Sequence, residues 1–383
     1  MLGKRHELAL GIIATPADRT ARANIRASWL LAPAFADGRA TARFVLGDVP
    51  CARAAVKGEK ALHGDIAFVN ASDCSPWHAG HKVHAWYQWA LRRLPALWYG
   101  KAEDDSFIGV EMLLAQLRAL RRPSARSNGY LLYGINPQWV AHCRQLAGAG
   151  ARSWTDSAAA RSCAQGCWLG TLEEHRQPQP CVRGFDGAAV APGSEICPLL
   201  SYAPFVPGPL EVRSTRLAAL VANCGYAADY FASLVARGAR TRDECASGDG
   251  SQGLAIRECA AERLEHLLVA DGGSQRQAYA SSATFALLER AAANINSSDP
   301  RARREQRAAS RRANAPAQLT AIHPIKPDRS AETWRTLWAL LTAVQAPRAD
   351  RRAAGGSTAR ANDDRFVLRR VALARLGRPM VKA

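Results

Sequence analysis

The sequence predicts an α/β fold: a Rossmann-like, mainly parallel sheet flanked by helices. Three observations predict it. Strand-length apolar runs alternate with stretches of helical spacing through the first 135 residues. An acidic triplet closes one predicted strand, and ligands of such sheets sit at the carboxyl ends of the strands. Hydrophobic residues make up 48% of the 383-residue chain, enough for a sizeable core and against wholesale disorder.

The elements follow in order. Glu7–Ala14 reads as the first strand; its apolar stretch, Leu8–Ala14, is too short for a signal-peptide core. Thr15-Pro16-Ala17-Asp18 starts a helix that continues through Ile25, Trp29 and Leu30 at helical spacing. Ala42–Leu46 is the second strand, closed by Gly47-Asp48, and Asp65–Asn70 the third, β-prone through Ile66, Phe68 and Val69. His78–Leu94 is a long helix with Val83, Trp86, Ala90 and Leu94 on one side. Ala96–Lys101 is the fourth strand, closed by Glu103-Asp104-Asp105. Val110–Leu120 is a helix, and Tyr130–Tyr133 a fifth strand ended by Gly134.

Residues 140–200 are rich in Cys, Gly, Ala and Gln with little periodicity, and read as an irregular insertion. Ser214–Ala236 is helical, and Cys245–Glu265 joins a Gly-rich turn to a helix. The expected layout is one large domain over 5–270, a helical extension over 271–346 marked by Trp334 and Trp338, and a basic, flexible tail over 347–383.

The formal net charge is +18, of which residues 301–383 carry +13. Arg301, Arg303, Arg304, Arg307, Arg311 and Arg312 form one cluster. Such runs bind nucleic acid or anionic membrane surfaces, or are a solvated Arg/Ala-rich tail. No zinc-finger spacing or aromatic-interleaved RNA motif favours nucleic acid, and no specific nucleic-acid partner is expected. No run of about 18 apolar residues exists, so no transmembrane helix is expected. Ten scattered cysteines suit disulfides in an oxidising compartment, or free thiols. Cys163–Cys167 is a lone C-x-x-x-C without a second half for zinc.

Three adjacent acids at a strand end repel one another unless a cation compensates. Hard oxygen ligands on a short turn suit Mg²⁺ or Mn²⁺, with the remaining ligands from water and a diphosphate. The other reading is a solvated acidic turn or a helix N-cap. Asp249, in Ser247-Gly248-Asp249-Gly250-Ser251, is a candidate general base or a cap of the helix that follows. Arg22 and Arg26 lie one helical turn apart and are candidates for nucleotide phosphates or for structural ion pairs. Lys82 reads as a donor contact or a solvated helix position, and Lys101 as a cofactor contact or a neutraliser of the acids. Trp29, Trp86 and Trp89 read as core rather than sugar platforms. His78, His81 and His84 share a helix at i, i+3, i+6 spacing but lack a matched carboxylate for zinc.

Four segments occur in a telling order. Arg22-Ala23-Asn24-Ile25-Arg26-Ala27-Ser28-Trp29 fits R-x-x-I-R-x-[ST]-W. Gly64-Asp65-Ile66 opens a stretch leading through Asp73 to Lys82 and Trp89. Lys101-Ala102-Glu103-Asp104-Asp105-Ser106-Phe107 fits K-x-D-D-D-x-F. Asp249-Gly250-Ser251-Gln252-Gly253 keeps the Asp-to-Gly spacing of E-D-V-x-x-G, and Pro204 through Gly208 to Ser214 is a weaker fifth match. Over residues 7–260 the chain resembles the β-1,3-glycosyltransferases of glycosyltransferase family 31, the galactosyltransferase/Fringe-like group. It departs from them at His78-Ala79-Gly80, at Glu103 for Asp, at Gly248 for Glu, and at Glu211 where an aromatic is usual.

The resemblance implies a GT-A type fold and an inverting hexosyltransferase that uses a UDP-sugar and Mn²⁺ (or Mg²⁺) on a glycan or glycoprotein acceptor. It implies Asp105 as the metal ligand and Asp249 as the base. It places Asp104 near the ribose or a metal-bound water, and Glu103, Arg22, Arg26, Lys82 and Lys101 around the cofactor. It also implies the Golgi, with membrane attachment only through an anchor that this chain lacks. The competing readings are a non-catalytic carbohydrate-binding relative, a nucleic-acid binder using the basic tail, and a metal-dependent phosphohydrolase using the same acids.

Overall fold

The computed structural model describes residues 5–73, 79–126, 128–135, 137–143, 168–171, 200–206, 208–236, 248–261, 263–264, 266–272, 277–278, 321–322, 333–340 and 367–372. The strands are β1 (His6–Ile13), β2 (Ala40–Gly47), β3 (Ile66–Val69), β4 (Ala96–Glu103), β5 (Phe107–Ile108), β6 (Leu131–Gly134) and β7 (Gln138–Cys143). They continue as β8 (Trp168–Thr171), β9 (Leu200–Phe205), β10 (Leu210–Ser214), β11 (His266–Asp271), β12 (Gln277–Ala278), β13 (Ala321–Ile322) and β14 (Val367–Ala372). The helices are α1 (Arg19–Arg26), α2 (Pro33–Ala36), α3 (Pro50–Ala55), α4 (Lys57–His63), α5 (Ala79–Arg93), α6 (Val110–Ala119) and α7 (Arg121–Arg126). They continue as α8 (Thr215–Ala222), α9 (Gly225–Ala236), α10 (Gly248–Ala261) and α11 (333–340).

The central sheet has eight strands in the order β14-β11-β6-β10-β4-β1-β2-β3. The pairs β4–β1, β1–β2, β2–β3 and β6–β11 are parallel, whereas β10 runs antiparallel to both β4 and β6. The mixed, mainly parallel sheet flanked by helices is the predicted fold class. Alternate residues of β1 enter different cores, as strand geometry requires. Leu8, Leu10 and Ile12 join Phe44, Leu46, Trp98, Leu113 and Leu117 on one face. Ala9 joins Val45, Val69, Val83, Trp86 and Tyr99 on the other. Burial on both faces is why the strands of this sheet read as apolar runs.

The five expected strands lie within a few residues of β1, β2, β3, β4 and β6. The helical stretch from Ser214 is two helices, α8 and α9, with Ser214 accepting a hydrogen bond from the Leu217 N–H as the cap. In the region read as irregular, Trp168–Thr171 pairs antiparallel with the start of β7, through Gln138 and Val140, and β7 also pairs with β9. Four residues are too few to show strand alternation in sequence. The other residues of 144–199 lie outside those described. Of the segment read as a flexible tail, Val367–Ala372 forms the edge strand β14, antiparallel to β11.

Beyond the sheet, β13 pairs with both β12 and β5. Trp334 and Trp338 of α11 lie 6.5 and 6.2 Å from the Phe107 ring. Strand β13 and helix α11 therefore pack on β5, the strand that follows the acidic triplet.

Candidate active site

The carboxyl end of β4 meets the start of β10 and the first turn of α10, with β1 beside β4 and β2 beside β1. Glu103 is the last residue of β4, and the chain turns there, with the Ser106 N–H donating to the Glu103 carbonyl at 3.1 Å. The buried Trp29 indole fixes the turn from below by donating to the Ser106 carbonyl at 3.1 Å. Glu103, Asp104 and Asp105 are thus presented at a strand end by a rigid support.

Burial, and then the charges of Asp18 and Asp105, push the Asp104 carboxyl up to about 7, against the opposing pull of Lys82. Its Oδ2 is buried without a hydrogen-bond partner. A buried carboxylate oxygen among other carboxylates suits a hard divalent cation. Among the described residues no three His, Cys, Asp or Glu side chains converge as a complete ligand set.

Asp249 lies in the first turn of α10. Its Oδ1 accepts from Lys101 Nζ at 2.5 Å, and its Oδ2 accepts from the Gly208 N–H at 2.7 Å. Lys101 Nζ also donates to the Gly208 carbonyl at 2.8 Å and lies 3.5 Å from Glu103. Gly208 has φ of 69°, a left-handed conformation that glycine adopts freely, and so turns both its polar groups to this pair. Burial raises the Asp249 carboxyl above its usual range, with Lys101 opposing. Burial works against the Lys101 ammonium, but Asp249 and Glu103 outweigh it and hold its pKa above the ordinary lysine value. Helix α10 can seat here because Gly253 is small: a Cβ there would lie 2.5 Å from Phe205 Cβ and 2.8 Å from the Pro204 carbonyl.

The other candidates sit in ion pairs. Arg22 is fully buried, paired with Glu59 at 2.7 Å, and donates to the Thr15 and Pro16 carbonyls. Arg26 pairs with Glu59 and with Asp65, both at 2.7 Å. Lys82 is buried against Asp73 and donates to the Ala14 carbonyl at 2.7 Å, while Asp73 Oδ2 accepts from the Gly47 N–H at 2.7 Å. This pair laces the ends of β1 and β2 to α5. Trp29 and Trp86 are fully buried, and Trp86 stacks on Trp89 at 5.7 Å. His84 stacks on Phe231 at 4.8 Å, and burial, aided by Arg213 and His81, lowers it to about 4. His78 lies outside the described residues.

Sequence reasoning missed three contributors. Asp18 read only as part of a helix start, yet its charge bears on Asp104. Arg213 and Gln252 gave no signal, since nothing in their local pattern shows that they meet across 39 residues.

The galactosyltransferase family model matches residues 20–231, more than half of the chain. The match takes in Arg22, Arg26, Lys82, Lys101 and the acidic turn; Asp249 lies beyond it. Among solved structures, mannose-1-phosphate geranyltransferase from Thermus thermophilus is similar at 11% identity and a TM-score of 0.28. That likeness covers 60% of this chain and 64% of the other, less than two thirds of its length, and carries no argument. By the extent of the family match and the ordered motifs within it, the chain belongs to the galactosyltransferase family.

Proposed function

We propose that the protein is a glycosyltransferase, and more finely an inverting hexosyltransferase. It moves a sugar from a UDP-sugar to a hydroxyl of a glycan or glycoprotein, with β-1,3-like regiochemistry. The observation that carries this reading is the link between Asp249 and the acidic turn. Lys101, on the same strand as Glu103, holds the Asp249 carboxylate across 148 residues of sequence. A candidate base and a candidate diphosphate–metal site share one strand end.

Asp105 would hold Mn²⁺ or Mg²⁺, and Asp104 would hold the ribose or a metal-bound water. A divalent ion there supplies charge stabilisation of the diphosphate leaving group. Asp249 takes the proton of the acceptor hydroxyl as its oxygen bonds to the anomeric carbon and the bond to the diphosphate oxygen breaks. The diphosphate leaves with the bonding electron pair, and the sugar is inverted. Arg22, Arg26 and Lys82 serve by bracing the loop ends around the donor through the pairs with Glu59, Asp65 and Asp73. The Cys224–Cys259 disulfide supports an oxidising compartment such as the Golgi. No helix among the described residues is long and apolar enough to cross a membrane.

The test is UDP release from a panel of UDP-sugars, with and without Mn²⁺, in the wild type, Asp105→Ala and Asp249→Asn. The expected result is metal-dependent release with one donor, lost in both variants. Release that survives both substitutions would place the chemistry elsewhere. Metal-dependent UDP binding without release, across a wide range of acceptors, would favour the carbohydrate-binding reading.

A further inference from the structure

A second buried ion pair lies behind Asp249. Glu211 and Arg213, two residues apart on β10, point to the same side of the sheet and are both fully buried. Arg213 Nε donates to Glu211 Oε1 at 2.7 Å, and the guanidinium lies over the Tyr87 ring at 4.1 Å. The Tyr87 hydroxyl donates to the same Glu211 oxygen at 2.9 Å. The other arm of Arg213, Nη2, donates to Gln252 Oε1 at 2.7 Å. Gln252 follows Asp249 by three residues on α10, and its Nε2 donates to the Gly80 carbonyl in the first turn of α5 at 2.7 Å. Glu211 is the registered sheet partner of Lys101, the residue that grips Asp249.

Stability alone is a poor reason to keep this pair, because buried ion pairs are often replaceable by apolar residues without loss. Glu211 Oε2 and Arg213 Nη1 also have no hydrogen-bond partner, which disfavours the arrangement further. What the pair does achieve is orientation, because its hydrogen bonds reach the helix turn that carries Asp249.

We propose that Arg213, held by Glu211, is a positioning residue for the transfer reaction. It fixes the first turn of α10 through Gln252 and backs Lys101 through Glu211, so that the Asp249 carboxylate meets the acceptor hydroxyl at reacting distance. The proposal rests on the reading of Asp249 as the base. A misplacement of about 1 Å at a reacting group lowers the rate on the order of a hundredfold. The loss should therefore fall on kcat, with donor binding retained.

The experiment compares the wild type, Arg213→Met, Gln252→Leu, Gln252→Glu and Asp249→Asn. Melting temperature, metal-dependent UDP binding, kcat and acceptor KM are measured for each. Arg213→Met is expected to lower kcat on the order of a hundredfold, with UDP affinity and KM within about threefold of wild type. Should Arg213→Met fail to fold, Gln252→Leu carries the test: it leaves the Glu211–Arg213 pair whole and removes its grip on α10 together with the bond to the Gly80 carbonyl, a bond that Gln252→Glu lacks as well, so the difference between the two variants reads the Arg213 contact. Gln252→Glu keeps an oxygen facing Arg213 and is expected to retain more than a tenth of the wild-type kcat, well above Gln252→Leu. Wild-type kcat in folded Arg213→Met or in Gln252→Leu, with turnover lost in Asp249→Asn, overturns the positioning role alone. Equal loss of UDP binding and kcat also overturns it, because that is the mark of general damage. Turnover kept in Asp249→Asn overturns the base, and the proposal with it.

Discussion

Replacing Lys101 by Met keeps a long side chain and removes one charge. In the native protein that ammonium reaches Asp249 at 2.5 Å, the Gly208 carbonyl at 2.8 Å and Glu103 at 3.5 Å. The Lys101 side chain is 2% exposed and that of Asp249 20%. Burial raises the Asp249 pKa, Lys101 is the strongest influence lowering it, and Glu103 raises it further. Glu211 faces Lys101 from β10 and has Arg213 at 2.7 Å behind it. With Lys101 gone, the raising influences are left with only the Gly208 N–H against them. A hydrogen bond to a charged group contributes about 1.5–3 kcal/mol. Its loss disfavours the ionised form of Asp249 relative to the protonated one, so the Asp249 pKa should rise. On the proposed reading Asp249 works ionised as the base, and its ionised fraction at a given pH falls as its pKa rises. The acid limb of kcat/KM should therefore move to higher pH, and activity should fall more at pH 6 than at pH 8.5. Breaking a buried pair also destabilises by about 3–5 kcal/mol. Asp249 can take a proton and is partly exposed, so the lower end of that range is expected. The assay is UDP release across pH, with the folded fraction checked by circular dichroism. An acid limb that stays in place or moves down in folded protein refutes the claim that Lys101 holds Asp249 ionised.

Burial pushes Glu59 up, but Arg22 and Arg26 outweigh it and bring it to about 2 from 4.5. A carboxyl lowered on folding stabilises above its unfolded pKa, and that contribution is lost as the pH falls from about 4.5 through about 2. Allowing for solvent screening, Glu59→Gln should lose about 2 kcal/mol at pH 7 and show a flatter decline in urea stability below pH 5. The Cys224–Cys259 disulfide spans 35 residues, so Cys224→Ser with Cys259→Ser should lose about 4 kcal/mol in denaturant unfolding under oxidising conditions. An unchanged unfolding midpoint would contradict this. Trp334 is 1% exposed and packs near Phe107. Trp334→Ala should lose about 3–5 kcal/mol and speed amide exchange at residues 107–108, whereas exchange unchanged there would separate α11 from the support of the acidic turn.

The elements legible in the sequence are those whose pattern needs no partner to make sense. Strand β1 is apolar because both its faces are buried, and its position follows from its composition. The acidic turn stood out because three like charges together need a physical reason. Strand β10 has the sequence Leu-Glu-Val-Arg-Ser, and all five residues are buried. Its two charges neutralise each other and are hydrogen-bonded by Gln252 and Tyr87 from elsewhere in the chain. Local pattern cannot carry that information, since the compensation is tertiary. The same limit acts on Arg22, Arg26 and Lys82. Their charge marked them as candidates for an anionic ligand. Their direction depends on Glu59, Asp65 and Asp73, which the fold brings alongside.

This difference bears on the chemistry. A site whose cations are all free would bind a diphosphate through them and leave its carboxylates to chance. Here Arg22, Arg26, Lys82 and Lys101 are committed to carboxylates inside the scaffold, and the buried Asp104 Oδ2 at the strand end has no hydrogen bond among the described residues. On the proposed reading, such a site would meet a diphosphate through a divalent ion rather than through arginine, since an ion can sit between the carboxylates and the phosphate oxygens. On that argument UDP affinity should depend steeply on the metal and only weakly on Arg26. Titration of UDP into Arg26→Gln with and without Mn²⁺ measures both. A loss of affinity in Arg26→Gln as large as that from removing the metal would reverse the assignment.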